Sequence, residues 1–513
     1  MRPTLHFGGE TIAADDFFAR TQRAASALAA CGVGPGDVFA LMLHNEPVTL
    51  ELILAGRWLG ARWCTINWHF KADEVRHILA DSGARVFVVH AHLVAAISSA
   101  VPAGLRVFVV PPEPATRSAF RIGENADAPA VGQADWATFR DGVQRPAVAQ
   151  AQPPGAAMLY TSGTTGLPKG IARAPATPEQ VQATLESGRL ALGIAPGMRA
   201  LLSAPIYHAA PQSYALMAAL ADGELWLEPR FDAARTLALI GAHRLDRAYL
   251  VPTMYVRLLA LPGDVRAASD VSSMRFVAST GSPCPPEVKR RMIDWWGPVF
   301  HEAYAASELG YITHIGSADA LRKPGSAGRA LPGTRLEILG DDGAPLPAGA
   351  VGVIYARNAA TPDFSYNHDD AARRKLEAHG LWTLGDMGYL DDEGFLFIVD
   401  RRSDMVISGG VNIYPAEIEA VLMTMAGVAD CAVFGIPDAE FGEALAAAVQ
   451  RAQGAAGANL DAAAVQAFLR ARIAGYKVPR QVAFHAELPR EDSGKIFKRR
   501  LREAYWVGQA RRV

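Results

Sequence analysis

The first hundred residues alternate between helix-type and strand-type patterns, and this alternation constrains the fold more than any other feature. Apolar residues are spaced as in a helix in three segments, residues 15–30, 47–59 and 72–80. Short apolar runs that are typical of strands accompany them, at residues 38–43, 63–66 and 86–89. Strand-type runs then continue beside helical segments, at residues 200–203, 225–227, 247–251 and 276–279. The rhythm predicts α/β layers around largely parallel sheets.

The pattern changes after about residue 330, where short strands and Gly/Asp turns dominate. Residues 391–394 are typical of a hairpin turn. The last hundred residues predict a small α+β unit with a helix beginning near Pro415, since proline is favoured in the first turn. The polar stretch at residues 400–404 is the expected boundary, and residues 111–154 are expected to be a loop-rich connection.

Composition excludes several classes of protein. A chain of 513 residues is too long for one core and predicts two or more domains. The formal net charge of −2 gives no basic field for nucleic acid. The four cysteines lie far apart, which fits neither a disulfide framework nor a zinc site and favours a reducing compartment. The N-terminus lacks an apolar signal core and no stretch is typical of a membrane span, so we expect a cytoplasmic protein.

One loop carries chemistry of its own. The apolar run at residues 156–160 ends in a segment, residues 161–170, that combines glycines, four hydroxyl side chains and Lys169. Glycine allows positive φ, and backbone N–H groups, hydroxyls and an ammonium together can surround a polyphosphate. It is not a Walker A loop, because Pro168 and Gly170 flank the lysine. A strand followed by an ordinary polar turn is the alternative interpretation.

The whole string at residues 161–170 resembles the phosphate loop of the adenylate-forming enzymes, a superfamily of acyl-CoA synthetases, adenylation domains and luciferases. Further segments match that superfamily in the same order, at residues 205–210, 279–284, 304–308, 385–389, 408–415 and 489–495. Taken singly, these segments have ordinary interpretations. Residues 205–210 would hold a structural histidine, residues 279–284 and 385–389 would be turns, residues 408–415 a glycine-rich loop, and residues 489–495 part of a solvated basic face. The resemblance implies an α/β fold with a large N-terminal domain of layered sheets, including a small β-barrel-like part, over residues 1–402. It also implies a small mobile α+β domain over residues 403–513.

The resemblance assigns roles residue by residue. The residues implied to bind ATP or AMP are Thr161, Ser162, Gly163, Thr164, Thr165, Gly166, Lys169, Gly281, Ser282, Pro283, Glu302, Ala303, Tyr304, Ser307, Asp386, Ile398, Arg401 and Lys495. The implied catalytic residues are Lys495, His208, Thr161 and Lys169. The implied acyl pocket consists of Tyr207, His208, Ala209, Thr280, Gly281, Ala305 and Ala306.

The remaining roles concern the metal, the thiol and the hinge. Glu308 is implied to hold Mg²⁺, for which one carboxylate is enough because phosphate oxygens supply further ligands. The implied CoA channel is lined by Ser408, Gly409 and Gly410, and the implied hinge is Ser403. The chain departs from the family pattern at Ala305, where glycine is usual, and at the hinge, which is commonly Asp or Lys.

The expected function is that of an ATP-dependent acid–CoA ligase, acting as a monomer or a homodimer. ATP, Mg²⁺ and CoA would convert a carboxylic acid through acyl-AMP to a thioester. Members of the superfamily that activate amino acids carry an Asp shortly after the histidine motif, and residues 211–214 contain none. Ala209, Ala210, Ala305 and Ala306 indicate an apolar, roomy pocket, so the expected substrate is a medium- or long-chain fatty acid or a bulky hydrophobic acid. The alternatives are an aryl-acid CoA ligase and an adenylating enzyme that loads a carrier protein. Alternatives of another class are a nucleotide hydrolase or kinase that leaves ADP, and a binding protein without catalysis.

Overall fold

The computed structural model describes residues 3–123, 134–144, 148–151, 153–161, 168–409, 411–490 and 496–507. Two largely parallel sheets form the first part of the chain. The larger has nine strands, in the spatial order Arg329–Ala330, Gly310–Gly316, Phe300–Ala306, Phe276–Ser279, Arg247–Tyr249, Arg199–Leu202, Glu224–Leu227, Thr4–Phe7 and Glu10–Ile12. The other has five parallel strands, in the order Arg62–Thr65, Val38–Met42, Val86–His90, Arg106–Val110 and Ala134–Asp135.

Helices cover these two sheets, as the alternating pattern predicts. Those before residue 400 are Ala14–Ala30, Pro47–Leu59, Ala72–Ser82, Val94–Ile97, Pro114–Phe120, Trp136–Gly142, Pro178–Leu192, Ala209–Leu220, Ala233–His243, Pro252–Leu259, Gly263–Ala268, Pro286–Trp296, Ser317–Arg322 and Asp370–Arg374. Short 3₁₀ helices occur at Ala91–Leu93 and Ser98–Ala100. The helix Pro47–Leu59 shows how local sequence sets the bounds of a helix, because proline occupies its first turn and Gly60 ends it at φ +72°.

Two antiparallel sheets follow the change of pattern. One has six strands, Glu377–Ala378, Leu381–Trp382, Gly352–Asn358, Asp386–Leu390, Leu396–Arg401 and Thr334–Leu339. The other has three, Phe364–Tyr366, Lys169–Arg173 and Leu159–Thr161. Ile171, Leu309, Ala356 and Trp382 belong to one buried cluster shared by both sheets. Within the described residues, no strand pairing closes these sheets into a barrel.

The last part of the chain forms its own α+β layer. Its five-stranded sheet consists of Val411–Ile413, Val406–Ser408, Gly442–Arg451, Val428–Asp438 and Gln481–His485. Its helices are Pro415–Leu422, Ala455–Ala458, Ala462–Arg470 and Lys498–Glu503, with a 3₁₀ helix at Gly475–Lys477. Among the described residues, no buried hydrophobic cluster includes residues from both sides of Ser403.

The sequence predictions for elements are largely confirmed, with one region in error. The expected loop-rich connection at residues 111–154 contains the helices Pro114–Phe120 and Trp136–Gly142. Proline begins the first, and the Asp135 side chain accepts a hydrogen bond from the Thr138 N–H at the start of the second. Both are ordinary helix-start signals that the high proline and charge content of the segment obscured.

Candidate active site

The carboxylate of Glu308 connects two sheets at the centre of the candidate site. Its Oε1 accepts hydrogen bonds from the Thr161 hydroxyl at 3.3 Å and from the Tyr366 hydroxyl at 3.1 Å. Thr161 ends the strand Leu159–Thr161, and Glu308 follows the strand Phe300–Ala306. The structure therefore brings the start of the sequence-predicted phosphate loop to the sequence-predicted metal ligand.

Glu308 is buried and incompletely balanced in charge. Burial raises the pKa of its carboxyl group, and its own backbone N–H, Tyr366, the Arg173 charge and Thr161 only partly offset that rise. Arg173 lies close, but its guanidinium donates to the backbone carbonyls of Pro362, Ser307 and Glu308. In the part of the chain that the structure describes, no cationic side chain forms an ion pair with the Glu308 carboxylate. A buried carboxylate of this kind favours a cation.

Lys169 lies at the other end of the same loop. It begins the strand Lys169–Arg173, and its Nζ lies 3.1 Å from Asp369 Oδ2 and 5.2 Å from the centre of the Tyr366 ring. Lys169 and Glu308 thus contact the same tyrosine, the ammonium over its ring and the carboxylate at its hydroxyl. One positive and one negative group therefore meet at Tyr366. Residues 162–167 lie outside the described residues.

A second tyrosine–carboxylate pair joins the nine-stranded sheet, which carries Tyr304, to the six-stranded sheet, which carries Asp386. The Tyr304 hydroxyl donates to Asp386 Oδ2 at 2.6 Å, and Arg401 Nε donates to Asp386 Oδ1 at 3.2 Å. Asp386 and Arg401 face each other across paired strands, because the register sets them opposite. Burial is the main cause that raises the pKa of Tyr304, so its hydroxyl stays protonated. These three side chains were predicted to contact one nucleotide, and the structure brings them together.

The loop at residues 280–283 follows the strand Phe276–Ser279 and turns at Gly281, whose φ is +96°. A side chain at that φ would be strained, so glycine is required for this turn. Glu302 and Ala303 lie on the neighbouring strand, and the Glu302 carboxylate lies 2.6 Å from Lys289 Nζ in a buried ion pair. Ser282 and Pro283 complete the loop.

The predicted acyl-pocket residues Tyr207 and His208 precede the helix Ala209–Leu220. The Tyr207 carbonyl accepts a hydrogen bond from the Thr65 hydroxyl at 3.2 Å, and Gln212 donates to that hydroxyl oxygen at 3.0 Å. The backbone at Tyr207 is therefore held to the end of the strand Arg62–Thr65. Ala305 and Ala306 end the strand Phe300–Ala306, at a register shift that follows Tyr304.

An aromatic and histidine cluster lies behind Tyr207. The Trp68 ring packs edge-on against Tyr207 with centroids 4.5 Å apart, and His44 packs against Trp68 at 4.4 Å. The His44 ring also stacks on Phe120 at 4.1 Å, and its Nε2 lies 3.1 Å from His92 Nε2. Burial is the main cause that lowers the pKa of His44 to about 2 and that of His92 to about 4. The rings of His44 and His92 are therefore neutral at physiological pH.

The predicted hinge and thiol-channel residues lie where the last sheet begins. The Ser403 carbonyl accepts a hydrogen bond from Arg502 at 3.4 Å. Ser408 ends the strand Val406–Ser408, and the Gly409 N–H donates to the Phe441 carbonyl at 2.9 Å. The third predicted channel residue, Gly410, lies outside the described residues. So do the predicted catalytic residue Lys495 and the predicted phosphate-loop residues Ser162, Gly163, Thr164, Thr165 and Gly166.

Comparisons with known proteins show the family of the chain. Residues 1–361 match the AMP-binding enzyme family, and residues 417–495 match the AMP-binding enzyme C-terminal domain. The chain belongs to the AMP-binding enzyme family. Its sequence is 33% identical over 508 residues to a feruloyl-CoA synthase of Amycolatopsis sp., covering 98% of this chain and 95% of that protein.

Two further similarities extend the comparison. The chain is 33% identical over 488 residues to a long-chain-fatty-acid–CoA ligase of Mycobacterium tuberculosis, covering 95% of this chain and 92% of that protein. Its structure is similar to that of ATP-bound MatB from Rhodopseudomonas palustris, with a TM-score of 0.83, 28% identity and coverage of 98% and 96%. The predicted membership in the adenylate-forming superfamily and the predicted class of AMP-forming acid–CoA ligase are confirmed by these relatives.

Several site residues of this AMP-binding enzyme were not predicted from the sequence. One is Tyr366, which contacts Glu308. The others are Asn367, which contacts Asp81, and Asp369, which contacts Lys169. They belong to the strand Phe364–Tyr366 and the turn after it, which pair with the strand Lys169–Arg173 nearly two hundred positions earlier. The sequence signal at this place is the polar run at residues 367–370 after Tyr366, and such a run does not distinguish a binding site from an ordinary turn. Among the described residues, no helix is long and apolar enough to cross a membrane.

Proposed function

We propose that this protein is an ATP-dependent acid–CoA ligase that activates a hydrophobic carboxylic acid as acyl-AMP, releases pyrophosphate and transfers the acyl group to CoA. The observation that supports this most is the pair of contacts made by one segment. Tyr304 hydrogen-bonds to Asp386, and Glu308 hydrogen-bonds to Thr161. The short stretch at residues 304–308 therefore links a carboxylate suited to ribose hydroxyls with the start of a phosphate loop.

The nucleotide would lie along this stretch. Asp386 accepts the ribose hydroxyls, because a carboxylate can accept two hydrogen bonds at once, and Arg401 binds beside it. The adenine lies between the loop at residues 280–283 and the Tyr304 ring, near Glu302, Ala303 and Ile398. Ser307, Lys169 and the loop beginning at Thr161 bind the phosphates. His208 and Tyr207 orient the acyl carboxylate, in a pocket that also includes Ala209, Thr280, Ala305 and Ala306.

Mg²⁺ fits the donor set at Glu308. Its carboxylate is buried, its pKa is raised, and no cationic side chain of the described residues pairs with it. The described residues contain no group of three metal-ligating side chains, and magnesium bound with ATP needs few protein ligands. The ion would supply positive charge to the phosphates. Glu308 would hold it, and Thr161 and Tyr366 would orient the carboxylate.

The first half-reaction joins two anions. A carboxylate oxygen of the acid attacks the α-phosphorus of ATP, the bond to the β-phosphate oxygen breaks, and pyrophosphate leaves. Lys169 and Lys495 neutralise the charge that develops, and such preorganised groups are worth about 3 kcal/mol each. In the second half-reaction the CoA thiol loses its proton, its sulfur attacks the acyl carbon, and AMP leaves with the carboxylate oxygen.

Two segments of residues 403–513 would serve the two half-reactions in turn. Lys495 would act in the first, and the loop at Ser408, Gly409 and Gly410 would admit the thiol in the second. Rotation of residues 403–513 about Ser403, against residues 1–402, would exchange them. The absence of a hydrophobic cluster that crosses Ser403 in the described residues supports such a division.

The exchange predicts that the half-reactions can be separated by one substitution. Lys495→Ala should lower adenylate formation by about a hundredfold. The same variant should still transfer the acyl group of a synthetic acyl-AMP to CoA at nearly the wild-type rate. Equal losses in both half-reactions would contradict the assignment of Lys495 to the first step alone.

The proposed substrate is a medium- or long-chain fatty acid or a bulky hydrophobic acid. Small side chains line the proposed pocket, and His44 and His92 behind Tyr207 are neutral. An aryl acid is the second candidate, favoured by the similarity to a feruloyl-CoA synthase. A panel of fatty, terpenoid, aryl and dicarboxylic acids in a pyrophosphate-release assay decides between them. Preference for a small polar diacid would contradict the proposal.

We also propose a cytoplasmic enzyme that is a monomer or a homodimer. Two measurements test the identity of the acyl acceptor and the number of chains in the enzyme. Free CoA should support product formation without any carrier protein, and sedimentation velocity should give a single species of one or two chains. Dependence on a phosphopantetheinylated carrier protein would favour the alternative of a carrier-loading enzyme.

A further inference from the structure

The turn that follows the strand Phe364–Tyr366 lies alongside Lys169. This strand pairs antiparallel with Lys169–Arg173, with Tyr366 opposite Ile171. The pairing continues one step further, because the Asn367 N–H donates to the Gly170 carbonyl at 2.7 Å. The register therefore brings the next residues of the turn to the lysine at the start of the neighbouring strand.

Asp369 is held by several contacts before any ligand is considered. Its N–H donates to the Tyr366 carbonyl at 3.0 Å, and its Oδ1 accepts from the Ala372 N–H at 3.0 Å. It thus caps the helix Asp370–Arg374. Its other oxygen, Oδ2, lies 3.1 Å from Lys169 Nζ, so a fixed carboxylate holds a flexible lysine.

Stability does not account for this ion pair. The Lys169 and Asp369 side chains are 37% and 44% exposed, and pairs at such sites contribute little to folding. The ammonium has three N–H donors, and one contact with Asp369 leaves two for another anion. Because the lysine stem carries several rotatable bonds, an anchor that fixes its direction lowers the entropy lost when that anion binds.

We propose that Asp369 is a positioning residue that orients the Lys169 ammonium toward the terminal phosphates of ATP. The inference rests on the proposed function, in which Lys169 binds those phosphates. A simple electrostatic role would have the opposite consequence. If Asp369 only competed with the phosphates for the lysine, or only repelled them, removing its charge would strengthen the binding of ATP.

The test uses the full chain and calorimetric titration with MgATP and, separately, with AMP, so that the identity of the acid does not matter. Asp369→Asn keeps a side chain that caps helices well and removes the charge. We expect the Kd for MgATP to rise about fivefold and the Kd for AMP to stay the same. Asp369→Ser, which also caps a helix, should behave in the same way.

The neighbouring carboxylate provides a matched control. Asp370 accepts a hydrogen bond from the Ser365 hydroxyl and belongs to the same turn. Asp370→Asn removes the same charge one position away and should leave the Kd for MgATP unchanged. In a Lys169→Ala background, Asp369→Asn should have no further effect, because the residue acts through the lysine. Thermal unfolding of each variant checks that the fold is retained.

The outcomes separate this inference from the proposed function. Unchanged or tighter MgATP binding by Asp369→Asn, or additive effects of Asp369→Asn and Lys169→Ala, would overturn the positioning role while leaving the ligase proposal intact. A wild-type chain that does not bind MgATP would overturn both. An equal loss of AMP and MgATP binding would show a general structural effect and would also overturn it.

Discussion

Two tyrosine–carboxylate pairs lie at the two ends of the proposed nucleotide site, and they differ in how the carboxylate charge is balanced. Asp386 receives a hydrogen bond from Tyr304 and an ion pair from Arg401. Glu308 receives hydrogen bonds from Tyr366 and Thr161, while the nearby Arg173 donates to backbone carbonyls instead. The first carboxylate is already balanced and suits neutral hydroxyls. The second is only partly balanced, and suits a site where a cation arrives with its ligand.

The largest effect that this comparison predicts is at Glu308. Glu308→Gln keeps the shape of the side chain and removes the charge, so a cation bound there would lose its protein ligand. We expect the rate of pyrophosphate release at saturating acid to fall by about a hundredfold. Raising the Mg²⁺ concentration should recover part of it. A loss of less than twofold would contradict the proposed metal site.

The pH dependence provides a second test of Glu308. The pKa of Glu308 is raised by burial, so its carboxylate becomes protonated at a higher pH than an exposed glutamate does. As pH falls through that pKa, kcat/KM for MgATP should decrease by about tenfold per pH unit. Glu308→Gln should abolish this acid limb, because nothing at that position then titrates. An unchanged limb in the variant would assign the titration to another group.

The Asp386 pair is expected to matter for the ribose. Asp386→Asn should raise the KM for ATP by about tenfold, since a hydrogen bond to a charged group is lost. The wild-type enzyme should show a similar penalty with 2′-deoxy-ATP, and the variant should hardly distinguish the two nucleotides. If the variant still prefers ATP by the wild-type factor, Asp386 does not bind the ribose.

The smallest predicted effects are those of the two tyrosine hydroxyls. Tyr366→Phe and Tyr304→Phe should each lower kcat/KM by about fivefold, as expected for one hydrogen bond. Only Tyr366→Phe should move the acid limb, and it should move it to higher pH, because the Tyr366 hydrogen bond lowers the pKa of Glu308. Equal shifts in both variants would remove the distinction between the pairs.

The sequence predicts the individual groups of this site better than it predicts their neighbours. Thr161, Lys169, Tyr304, Glu308 and Asp386 were identifiable because each lies in a segment that resembles a known motif. Their contacts with one another depend on strand pairing between distant parts of the chain, which local patterns do not encode. The alternating pattern likewise predicted the layered sheets but gave no spatial order of their strands.

The roles of Tyr366 and Asp369 could not be predicted from the sequence. Both lie in a short turn region without a recognisable spacing, and their importance comes only from the register between Phe364–Tyr366 and Lys169–Arg173. The histidine cluster behind Tyr207 is similar, because His44 and His92 come from the segments that follow two paired strands, Val38–Met42 and Val86–His90. Single histidines in a sequence give no indication of such a contact.

The most direct measurement of the central claim uses an acid labelled with ¹⁸O in its carboxylate. If the carboxylate attacks the α-phosphorus and CoA then displaces AMP, mass spectrometry should find one labelled oxygen in the AMP and none in pyrophosphate. Label in inorganic phosphate together with ADP would instead indicate an acyl phosphate, and would contradict the account of an adenylate formed at this site.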